Sequence, residues 1–62
     1  MKIVIKRNLS DEYEVPTAPW PNVSDSIYYT DDADDALDTA KLNHGEGFEF
    51  KFERGTYSPE GA

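Results

Sequence analysis

The sequence predicts a small α+β fold: a three- to four-stranded, mainly antiparallel sheet with one helix packed on one face, in the order β-β-(β)-α-β. Three observations carry this expectation. Ile3 and Ile5 share one face of Lys2–Arg7, and apolar and polar side chains alternate through Gly47–Arg54, the period of a strand with one covered face. Ala33, Ala36, Leu37, Ala40 and His44 recur at helical spacing, so they share one stripe on a helix. Clusters of Asn, Ser, Asp and Pro punctuate the intervals, and these residues favour turns over regular structure. The 62 residues read as a single domain over 1–55, followed by a flexible tail over 56–62.

The first strand, Lys2–Arg7, puts Ile3 and Ile5 on one face and Lys2, Val4 and Lys6 on the other. Asn8-Leu9-Ser10-Asp11 is a turn, and Glu12–Val15 alternates again, with Tyr13 and Val15 on a shared face. The two strands read as a hairpin. Pro16, Pro19 and Pro21 then exclude helix and remove ladder donors, giving an ordered loop in which the single tryptophan, Trp20, is either a lid on the core or an exposed anchor. Ser26–Thr30 is a short β-branched and aromatic strand. Thr30, Asp31 and Asp32 are candidate N-caps for the helix that follows, and its acidic first turn complements the helix dipole. Gly45 is the expected left-handed terminator. Strand, helix and returning strand have the spacing of a parallel crossover. Phe48, Phe50 and Phe52 share a face of the last strand, and burying such rings stabilises by roughly 1.5–3 kcal/mol each. This strand is therefore expected at the centre of the core, beneath the helix, with Tyr28 and Tyr57 on the opposite, solvated face.

Thirteen acidic residues oppose six basic ones, for a net charge of −7. That field repels phosphate, which argues against direct binding of nucleic acid or anionic lipid. No apolar run reaches the roughly 18–20 residues of a membrane span, and Met1–Lys6 is too short for a signal peptide. The expected location is cytoplasmic, in the host cell if the gene is phage-borne. With no cysteine and one histidine, thiolate metal sites and cysteine nucleophiles are excluded. The Asp31–Asp35 run departs from a calcium loop, because Ala36 and Leu42 stand where glycine and the bidentate glutamate belong. His44 has no nucleophile at a spacing that favours catalysis. The reading is of a protein that is not an enzyme and takes no cofactor or metal.

Surface recognition remains. Asp31, Asp32, Asp34, Asp35 and Asp38 form an acidic knob, read either as a solvated helix face or as a surface that steers a basic partner. Trp20, Tyr28 and Arg54 are the candidate anchors beside it.

Asp34-Asp35-Ala36-Leu37-Asp38-Thr39-Ala40 and Gly47-Phe48-Glu49-Phe50 fall in an order that resembles the small podophage inhibitors of bacterial RNA polymerase and similar small phage anti-host proteins. The resemblance spans Tyr29 to Arg54. It implies a strand, an acidic-capped helix and a returning strand, with a host protein such as RNA polymerase or another nucleic-acid enzyme as partner. The family uses arginines on the returning strand to grip polymerase; of Phe52-Glu53-Arg54, only Arg54 keeps that charge here. The expected function is a protein-binding module that inhibits or modulates a host enzyme, as a monomer or weak dimer. The alternative is an assembly protein that forms a homo-oligomer through a sheet edge, with Lys2–Arg7 as that edge.

Overall fold

The computed structural model describes residues 1–54. They form an α+β unit with strands β1 (Lys2–Arg7), β2 (Tyr13–Pro16), β3 (Ile27–Thr30) and β4 (Glu49–Arg54), and one helix, α1 (Ala33–His44). A short 3₁₀ turn, Val23–Asp25, interrupts the proline-rich loop. The expectations for the tail over 56–62 and for Tyr57 lie outside the described residues.

The sheet order is β3-β2-β1-β4. β1 and β2 are the antiparallel hairpin, β2 and β3 are antiparallel, and β1 and β4 run parallel in register from Lys2↔Glu49 to Arg7↔Arg54. The crossover through α1 therefore joins parallel strands, but it connects the two edges of the sheet rather than neighbours. Pro16 is the last residue of β2 and pairs with Ile27. Its ring removes the N–H that the next bonded position toward β1 would need. The β1–β2 ladder accordingly stops at Lys6↔Glu14, and the first half of β1 is held by β4.

Two expectations about strand order are corrected here. β1 is an interior strand, not the open edge, because β2 and β4 flank it. β4 is an edge strand, not the centre of the core. The fully buried residues are Ile3, Ile5, Val15, Ala36 and Ala40, and Tyr13 and Phe50 pack around the cluster of Ile5, Val15, Ala36 and Ala40. Alanine on the inner stripe lets α1 lie close over Ile5 and Val15, so the helix covers mainly β2 with its neighbours β3 and β1. β4 is at the fringe of that cover, and Phe52 stays 42 % exposed with its ring edge-on to Tyr13 at 5.5 Å.

On the helix, Ala36 and Ala40 are buried and Leu37 and His44 half-buried, whereas Ala33 is exposed. The inner stripe thus begins one turn later than the spacing predicts. Gly45 ends the helix at φ 81 and ψ −168 with its N–H on Lys41 O. The positive φ requires glycine, but the residue is extended in ψ rather than left-handed helical. No helix among the described residues is long and apolar enough to cross a membrane.

Candidate interaction surface

Asp32 is the residue that caps α1. Its Oδ1 accepts from the N–H of Asp34 (2.8 Å) and of Asp35 (3.2 Å), and its own N–H donates to Thr30 Oγ1 at 3.2 Å. These contacts satisfy amides that the first helical turn would otherwise leave unpaired. One turn of chain therefore carries β3 into the helix, and the aspartates gather at that corner.

The register places Tyr28 opposite Val15, on the helix side of the sheet. This corrects the expectation that Tyr28 lies on the solvated face; Tyr29, opposite Glu14, takes that face. Ile27-Tyr28-Tyr29-Thr30 has no apolar–polar alternation of its own, so only its pairing with β2 decides which ring turns inward. Tyr28 remains 41 % exposed, and its hydroxyl donates to Asp35 Oδ2 at 2.8 Å. The bond to the carboxylate, then its negative charge, raises the phenol above its ordinary value of 10.0.

The acidic residues thus divide. Asp32 and Asp35 hold the corner together. Asp31, Asp34 and Asp38 are exposed and, among the described residues, pair with no cation, since the ion pairs are Arg7–Asp11 and Lys51–Glu53. Asp34 and Asp38 stand one helical turn apart, so their charges add along one outward line.

The anchors do not all join this surface. Trp20 is 44 % exposed and follows β2, near the C-terminal end of α1, where its ring meets Phe48 at 5.5 Å. It is part of a small aromatic group in which His44 also contacts Phe48 at 5.5 Å. His44 Nε2–H donates to the Pro16 carbonyl at 2.6 Å, fixing the end of the helix to the end of β2. Trp20 and the acidic corner are therefore at opposite ends of α1. Arg54 ends β4 level with the start of the helix, but on the far edge of the sheet from β3. Of the sequence-derived residues, Tyr28 and the five aspartates form one surface, and Trp20 and Arg54 stand apart.

The uncovered face of the sheet carries a groove of about 480 Å³ lined by Lys2, Val4, Lys6, Glu14, Ile27 and Glu53, among others. Its charges are of both signs. Among the described residues, no three His, Asp or Glu side chains converge as a metal-binding group.

No protein-family model, curated protein or solved structure matches the sequence.

Proposed function

We propose that the protein is a non-enzymatic binding module that presents the corner of β3 and α1 to a basic surface of another protein. The observation that carries this reading is the division of the acidic residues: Asp32 and Asp35 are engaged in the fold, while Asp31, Asp34 and Asp38 project without a cationic partner among the described residues. A carboxylate array that the fold does not use internally accelerates encounter with a positively charged partner and suits a nucleic-acid enzyme, whose substrate cleft is basic. Tyr28, partly exposed beside Asp35, supplies an aromatic contact with a polar tip of the kind enriched at interfaces. A phage-borne inhibitor or modulator of a host enzyme such as RNA polymerase is the specific form of this proposal.

The test is affinity capture from a bacterial lysate at low ionic strength, followed by titration of the purified partner. Asp34→Lys/Asp38→Lys should weaken the complex by about tenfold or more, and added salt should weaken the unsubstituted complex in the same direction. An affinity indifferent to both changes overturns the reading.

A further inference from the structure

Among the described residues, the sheet has two open edges of different character. β3 offers four uncharged residues, bracketed by Asp25 and Asp31. Symmetric pairing of two copies about Tyr28 would set Asp25 against Asp31, and like charges opposed across a strand pair are unfavourable. β4 offers six residues, with Glu49, Lys51 and Glu53 turned to the uncovered face and Phe50, Phe52 and Arg54 to the helix side. No strand among the described residues pairs with its outer side.

The backbone polarity of that side follows from one bond. Glu49 N–H donates to Met1 O at 3.0 Å, toward β1. Successive residues of a strand direct their amides to alternate sides, so Phe50, Phe52 and Arg54 turn N–H and C=O groups outward. An open row of this kind is a template for another strand. Above it, Phe52 is partly exposed where α1 does not reach.

We propose that β4 is a self-complementary edge through which two copies of this chain pair antiparallel about Phe52, with both helices on the same side of one continuous sheet. Keeping the apolar faces together allows only registers that oppose residues of like orientation. Centring on Lys51 opposes Lys51 to itself and Glu49 to Glu53. Centring on Glu53 opposes that carboxylate to its own copy. Centring on Phe52 opposes Lys51 to Glu53 of the second copy on both sides of the axis, stacks the exposed Phe52 rings, and sets Arg54 against Phe50. Centring on Phe50 also opposes unlike charges, but it requires Phe48 as a strand residue. Phe48 lies outside β4, held by Trp20 and His44. An edge lysine ordinarily discourages pairing; between two glutamates it finds its complement in the shifted copy. Lys51 and Glu53 already approach to 3.6 Å within one strand, so pairing about Phe52 assembles four alternating charges.

Sedimentation equilibrium from micromolar to millimolar protein, at an ionic strength that screens the net charge of −7 on each copy, tests this. A monomer–dimer equilibrium is expected. Lys51→Glu should weaken it by about tenfold or more, because two favourable cross-strand pairs become repulsive. Lys51→Glu/Glu53→Lys should restore it, which the Phe50-centred register does not allow. Both side chains are exposed, and circular dichroism checks that the variants fold. In parallel, amide exchange at Phe50, Phe52 and Arg54 should slow as concentration rises, while Tyr29 on the opposite edge is unaffected. A chain that stays monomeric into the millimolar range overturns the proposal. So does dimerisation indifferent to Lys51→Glu, failure of the double variant to restore it, or protection of the β4 amides that does not depend on concentration, as when the chain's own residues cover the edge.

Discussion

The hydroxyl of Tyr28 donates a 2.8 Å hydrogen bond to Asp35 Oδ2, linking an edge strand to the first turn of the only helix among the described residues. The bond, and after it the carboxylate charge, favours the neutral phenol and raises its titration above 10.0. The folded pKa therefore exceeds the unfolded one, so the stabilisation is fully present below the unfolded value. It is lost as pH rises through the folded value. The difference between the phenolate absorbance titrations of the unsubstituted chain and Tyr28→Phe should isolate one phenol with a midpoint above 10.0. Asp35→Asn, which removes the charge, should move that midpoint back toward 10.0. A midpoint at or below the ordinary value would show that the bond does not persist in solution.

Asp32 and Asp38 are both acidic residues at one helix, yet substituting them should affect stability very differently. Asp32→Ala leaves the amides of Asp34 and Asp35 without their acceptor and should destabilise the fold by about 1 kcal/mol. Asp38→Asn touches no internal contact of the described residues and relieves part of a net charge of −7, so its effect on stability should stay within about 0.5 kcal/mol. Urea unfolding of the two variants checks the division. Equal destabilisation by both would mean that Asp38 has a structural role.

Local pattern made the elements legible but not their arrangement. β1 is read with its observed bounds, because the β-branched run Ile3-Val4-Ile5 is flanked by Lys2 and Lys6, and Ile3 and Ile5, which share a face, are both fully buried. The alternation around Phe48, Phe50 and Phe52 gives the strand and its faces, but periodicity reports only which face is apolar. How far that face is covered depends on strand order, and the parallel pairing that places β4 at an edge is a long-range choice with no local signature. The acidic corner was legible as a cluster. Which aspartates cap and which project depends on the turn of chain at Thr30–Asp32. The 3₁₀ turn at Val23–Asp25 lacked a signal of its own beside three prolines.

The hairpin depends on Asn8 more than on any other loop residue. Its Oδ1 accepts from the N–H of Ser10 (2.8 Å) and of Glu12 (3.1 Å), and its Nδ2 donates to Glu14 Oε2 at 3.1 Å. These bonds support a turn in which Asp11 adopts φ 61, a conformation most side chains disfavour. Asn8→Ala should destabilise by about 1–3 kcal/mol, since bonds to backbone donors at a turn are lost together. Asn8→Asp, which keeps the acceptor but loses the donor to Glu14 and adds a like charge beside it, should fall between the two. Thermal unfolding ranks the three chains; an Asn8→Ala variant as stable as the unsubstituted chain would remove the turn's dependence on this side chain.

Ala40 and Leu42 invert the usual expectation for a helix, in which the larger apolar side chain is the buried one. Ala40 is fully buried over the sheet, and Leu42 is 86 % exposed. Close approach of α1 to Ile5 and Val15 depends on the small side chains of Ala36 and Ala40. Ala40→Leu must lift the helix or force the inserted side chain out of a favourable rotamer, and should destabilise by about 1–3 kcal/mol. Leu42→Gln removes little buried surface and should leave stability within about 0.5 kcal/mol. Lifting α1 also separates Asp35 from Tyr28, so Ala40→Leu should lower the midpoint of the Tyr28 phenol toward 10.0, whereas Leu42→Gln should not. A destabilised Ala40→Leu variant with an unaltered Tyr28 titration would mean that the sheet, not the helix, yields to the added volume.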